Sequence, residues 1–200
     1  MAQQNNRKTP LDPRQTLDHI RQKMETLAGD FAEGKINKDQ FNAVYHHYAQ
    51  QMEIVQRLIE KDPQSDAWRK AAAPGVTEFL KEEFRPGVTL CATLRLKEDK
   101  PLYIEGKVTP DVARAIYSAF KTLRASGKIG LVSREIVNGW LVAFVGDLAV
   151  TLVVFTGEPT TEQVRRVEDI HRVFERANGI ALRTNAPVHR YVFPQRSLSS

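Results

Sequence analysis

Between Ile129 and Phe155 the chain spells out three strands and the two turns that join them. Asn138-Gly139, set between Ile129–Val137 and Trp140–Val145, is the strongest short hairpin signal a sequence offers. Gly146-Asp147 then turns the chain into Leu148–Phe155. The last two strands are apolar at nearly every position. A strand with one solvated face alternates apolar and polar residues, whereas one without alternation is covered on both faces. This pair therefore belongs at the centre of a sheet with a layer on each side, and the rest of the chain must provide those layers.

The flanking sequence provides them. Val88–Lys97 alternates Val88, Leu90, Ala92, Leu94 and Leu96 with Thr89, Cys91, Thr93, Arg95 and Lys97, giving one apolar and one mixed face. Glu98-Asp99-Lys100 reads as a turn and Pro101–Lys107 as the return strand. Thr109 caps and Pro110 opens a helix to about Ala125, with Val112, Ala115, Ile116, Ala119, Phe120 and Leu123 inward. A final helix opens near Thr160-Thr161-Glu162, turns Val164, Val167, Ile170, Val173 and Phe174 inward, and is expected to close at Asn178-Gly179. With a short helix at Val76–Phe84, the order is α-β-β-α-β-β-β-α. The fold class is α+β: a five-stranded, mostly antiparallel sheet with helices on both faces.

An antiparallel helical hairpin precedes this domain. Leu17, Ile20, Met24, Leu27 and Phe31 recur at spacings of three and four, as do Phe41, Tyr45, Tyr48, Met52, Val55 and Ile59. Gly34 ends the first helix. Asn37 and Gln40 form a capping pair for the second, and Ile36 and Phe41 stand at hydrophobic-staple positions. Two such helices alone are thin, so each stripe needs further cover. The organisation expected is a flexible N-terminus over 1–13, the hairpin over 14–61, a linker over 62–75, the α+β domain over 76–180 and a basic, aromatic tail over 181–200.

Composition narrows the function classes. The 200 residues are 42% hydrophobic and 26% charged, which argues against wholesale disorder. No apolar run approaches the roughly 20 residues of a membrane span, and one cysteine, Cys91, fits a cytoplasmic protein. Of the net charge of +5, residues 1–70 carry +1 and 71–200 carry +4, with Arg183, Arg190 and Arg196 unopposed near the end. A nucleic-acid footprint is a dense stripe on a folded face; a thin basic tail argues against that partner and reads as solubilising, or as folding back over the domain.

Catalytic signals are weak. Gly29–Lys35 spells most of a phosphate loop, but Ile36 stands where Ser or Thr should hold magnesium, and the segment ends a helix instead of opening one. His46 and His47 are adjacent, about 100° apart on a helix, and His19, His171 and His189 have no companion ligand at metal spacing. All five are expected at the surface. Cys91 reads as a buried structural thiol. Ser133-Arg134-Glu135 and Glu168-Asp169 read as solvated charges. No catalytic, cofactor or metal set is expected.

Two resemblances follow from these residues. Gly34-Lys35-Ile36-Asn37 with Gln40-Phe41 is similar to the short helical-hairpin module often called a short C-terminal or oligomerisation domain, which implies oligomerisation or tethering. The element order, with the run from Asn138 to Phe155, resembles the Roadblock (dynein light-chain type) family over residues 76–178. At the first hairpin, where that family usually has Asp-Gly, this chain has Glu98-Asp99-Lys100-Pro101. The resemblance implies a non-catalytic, homodimeric or higher platform that binds or regulates a small Ras-like GTPase or another protein complex. Carried over by position, the interface is Arg114, Ala115, Tyr117, Ser118 and Lys121 on the middle helix with Leu131, Ser133 and Glu135 on the third strand. Longin, profilin and PAS or GAF folds share the same alternation, and the rival function is a small-molecule sensor of PAS or GAF type.

Overall fold

A computed structural model describes residues 12–62, 64–72, 75–98 and 101–198. The expectation for residues 1–11, and the turn residues Asp99 and Lys100, lie outside them. The chain divides into two compact units, Met1–Phe84 and Arg85–Ser200.

The first unit is built on the hairpin of α1 (Pro13–Ala32) and α2 (Lys38–Lys61). Asn37 accepts from the Gln40 backbone at 2.9 Å while the Gln40 side chain accepts from the Asn37 backbone at 3.0 Å, a complete capping box. Gly34, at φ +69°, makes the left-handed step that lets the chain reverse between the helices. The extra cover that the hairpin needs comes from α3 (Ala67–Ala71), inside the expected linker, and α4 (Thr77–Glu83). Trp68 of α3 is buried among Ile20, Leu27, Val44, Tyr48 and Val55, and Leu80 of α4 packs on the same cluster.

The buried stripe of α2 is rotated from the expected one. Val44 and Gln51 are buried, and Tyr45 is exposed. Polar side chains on this stripe bind the added helices: Gln51 donates to the Ala71 carbonyl at 2.9 Å, Gln40 donates to the Lys81 carbonyl, and the Tyr48 and Thr77 hydroxyls are 2.7 Å apart. This packing assigns residues 77–83 to the first unit. The division therefore falls after Phe84, not within residues 62–75.

The second unit comprises β1 (Val88–Arg95), β2 (Pro101–Gly106), α5 (Pro110–Ser126), β3 (Gly130–Ile136), β4 (Gly139–Val145), β5 (Ala149–Phe155) and α6 (Thr161–Thr184). The five strands form one sheet in the order β2-β1-β5-β4-β3, and every neighbouring pair is antiparallel. The apolar pair β4 and β5 lies inside it, in the register Val142↔Val153 and Ala143↔Leu152. Strand parity sends alternate residues to opposite layers. Leu90, Leu94, Leu141, Ala143, Leu152 and Val154 meet Phe120 and Leu123 of α5. Cys91, Val142, Val153 and Phe155 meet Val167 of α6 on the other face. Complete burial of one such side chain is worth roughly 1.5–3 kcal/mol.

On the α6 face several expectations are corrected, the first being Val173, which does not turn inward but is 48% exposed. The helix does not stop at Asn178-Gly179 but continues to Thr184, where Asn185 at φ +58° forms the left-handed cap. Asn178 is buried instead, because its side chain finds partners on the tail: it donates to the Val192 carbonyl and accepts from the Val192 N–H, both at 2.7 Å. Residues 185–198 are thus a docked strap with 3-10 turns at Val188–Arg190 and Pro194–Leu198. Phe193 stacks on Tyr103 at 5.0 Å, Tyr191 and Gln195 are buried, and Tyr191 donates to the Ala181 carbonyl. Beneath the strap, Arg95, only 5% exposed, donates to Tyr191 Oη at 2.6 Å and also binds Glu98 and Asn185. No described helix is long and apolar enough to cross a membrane.

Candidate functional site

The middle helix α5 leaves its side of the sheet incompletely covered. Thr109 caps it, accepting from the Val112 N–H at 3.3 Å, and Gly127 ends it in the left-handed conformation at φ +61°. Ala119, Phe120 and Leu123 are fully packed, whereas Val112 and Ile116 in the first turns are only half-buried. Beside those turns runs an apolar groove of about 170 Å³ between α5 and strands β1 and β2. Leu90, Leu94 and Phe120 form part of its walls, and Ile104, Val108 and Tyr117 are its exposed rim. No lining residue is charged. Lys121 lies over the Tyr117 ring at 4.5 Å from its centre, and Arg114 pairs with Asp111. The result is an apolar slot bordered by basic side chains, suited to receiving apolar groups of another macromolecule.

The expected interface residues separate into two sets. Arg114, Tyr117, Ser118 and Lys121 are exposed on α5, and Ala115 is half-buried at its flank. Leu131, Ser133 and Glu135 are exposed too, but they lie on the opposite side of the sheet. Their β4 neighbours Phe144, Val142 and Trp140 belong to the α6 side, whereas Val132 and Ile136 pack with α5. Sequence position put helix and strand residues on one surface; strand parity parts them. The strand set lies on β3, which among the described residues pairs only with β4 and forms the sheet edge opposite β2. The groove residues Ile104 and Val108 were missed at the sequence level, although an apolar residue in an edge strand otherwise turned to solvent (Glu105, Lys107) was a signal for them.

Other chemistry-bearing groups are tied into structure. Burial, with a smaller contribution from the charge of Glu105, pushes the Cys91 thiol up to about 12, so it is a protonated core residue at neutral pH. His171 is not at the surface as expected. It lies under α6, with Nδ1 2.9 Å from Thr151 Oγ1 and Nε2 3.6 Å from Glu175 Oε1. Glu175 in turn accepts from the N–H groups of Asp147, Leu148 and Ala149 at 3.3, 2.8 and 2.8 Å, holding the β4–β5 turn. Burial alone would raise this carboxyl, but His171 and the Leu148 and Ala149 donors together outweigh it and hold the group at about 2. Among the described residues no group of three or more His, Cys, Asp or Glu is placed to hold a metal ion.

A second groove, of about 210 Å³, lies where Leu123, Arg124 and Gly127 at the end of α5 face Gly146 and Asp147. Both grooves are smaller than the roughly 300–1,000 Å³ of small-molecule pockets. In comparisons with known proteins, no family model, curated protein or solved structure matches this chain.

Proposed function

We propose that the protein is a non-catalytic interaction platform, a homo-oligomer whose second unit engages a small Ras-like GTPase or another protein complex in the Roadblock manner. The observation carrying this reading is the α5 surface, where an uncharged apolar groove opens beside Tyr117 and Lys121. The edge position of β3 supports it, because an edge strand offers unpaired backbone donors and acceptors to a second chain. A cytoplasmic location is part of the same proposal. Sedimentation equilibrium of the full chain, with GTP turnover by candidate Ras-like GTPases in its presence, tests it. The expected results are a dimer or larger species and an altered turnover, both weakened by Ile104→Glu with Tyr117→Glu. A strict monomer that leaves every GTPase unchanged sinks the proposal.

A further inference from the structure

The outward side of α6 carries a line of arginines. Arg165, Arg176 and Arg183 are spaced eleven and seven residues apart, three and two helical turns, so all three lie along one side over about 27 Å. They are exposed, and among the described residues none of them has a carboxylate partner. Arg172 falls on the same side; it is paired with Glu168 and lies over Phe144. The other outward carboxylates of the helix, Glu162 and Asp169, belong to its first half. Beyond Glu175 the sequence holds Arg176, Arg183, Arg190 and Arg196 and no acid at all, and Glu175 is turned inward onto the β4–β5 turn.

Two aliphatic side chains stand beside this line where the fold does not use them. Ile180 is 81% exposed and Val173 is 48% exposed. The strap that Asn178 holds against the helix adds Val188 and Val192, both exposed, and Arg190. Basic charge interspersed with solvent-facing aliphatic groups along one side of a helix fits one kind of surface best. Arginines gain from the negative potential of acidic headgroups, while short aliphatic side chains enter the boundary between headgroups and acyl chains. A single-stranded nucleic acid would match the charge but needs aromatic faces for its bases. The one aromatic of α6, Phe174, is buried inward.

We propose that the outward face of α6, from Arg165 to Arg183, docks the protein on an anionic phospholipid membrane. The attachment is peripheral, made by the folded unit without a spanning segment. Co-sedimentation of the full chain with phosphatidylcholine vesicles containing about one-quarter phosphatidylserine tests it, with pure phosphatidylcholine vesicles as the control. Binding is expected to the mixed vesicles only, and to fall as salt is raised. Arg176→Ala with Arg183→Ala should weaken it by at least about tenfold, and Ile180→Ser by at least about threefold. These side chains support no packing, so the variants should keep the parent's thermal transition. The proposal is overturned by absent binding to mixed vesicles at low salt, by undiminished binding of the variants, or by single-stranded DNA that binds more tightly and displaces the vesicles.

Discussion

Glu175 shows how one side chain fixes two elements. Its carboxylate binds three backbone N–H groups of the β4–β5 turn, and its helix carries His171, the histidine buried against Thr151. The close approach is possible because residue 146 is glycine: a Cβ there would lie within 2.5 Å of Glu175 Oε1 and closer still to His171 Nε2. Because the folded-state carboxyl is held at about 2, below its ordinary 4.5, its stabilisation is complete above that ordinary value and fades as pH falls toward 2. Glu175→Gln should therefore cost the second unit about 1–2 kcal/mol at neutral pH, after allowing for partial solvent screening. Urea denaturation at a series of pH values checks this: the parent and variant curves should converge between about pH 4.5 and pH 2. A difference that stays constant over that range would refute the role. Nothing in the local sequence marks His171 or Glu175, since their partners lie on other elements; periodicity identifies only the inward face of α6.

At the scale of elements, what the sequence discloses is what neighbours along the chain decide. Asn37, Thr109 and Thr160 cap helices as local chemistry demands, and the unbroken apolar character of β4 and β5 places them centrally. What is hidden depends on distant partners. Asn178-Gly179 is a stop signal overridden because the Asn178 amide binds Val192, fourteen residues on. Val44 replaces Tyr45 in the core because α3 and α4 approach α2 from a side that the hairpin pattern alone does not specify. Of the proposed interface, the helix residues come from resemblance, and the groove beside them appears only through the packing of β2. The capping box gives a direct test of local control. Asn37→Ala should destabilise the first unit by about 1 kcal/mol, and Asn37→Asp should largely restore it. Trp68 is buried in that unit's core and is one of two tryptophans in the chain. Its fluorescence in a Trp140→Phe background reads the transition, and an unchanged midpoint for Asn37→Ala would remove the box from the stabilising contacts.

For the whole molecule, the basic C-terminal segment changes meaning once it is seen docked. Its aromatic residues Tyr191 and Phe193 are structural cover, while Arg190 and Arg196 remain exposed. Leu198 packs with the cluster that contains Cys91, Tyr191 and Phe193 stack with Phe174, and Arg95 binds Tyr191 and Asn185 as well as Glu98. Removing residues 186–200 would strip the apolar cover and one partner of a buried cation, at a cost of about 3–5 kcal/mol. The single thiol of the chain makes this measurable, because Cys91 is fully buried at the centre of the second unit and reacts only when that unit opens. A thiol reagent should leave the intact chain almost unlabelled under native conditions and modify the shortened chain at least about a hundredfold faster, as a loss of 3 kcal/mol or more requires. Tyr191→Phe, which keeps the ring but removes the hydroxyl that Arg95 uses, should fall between the two. Equal labelling rates for all three proteins would mean that the strap adds nothing to the closure of the fold.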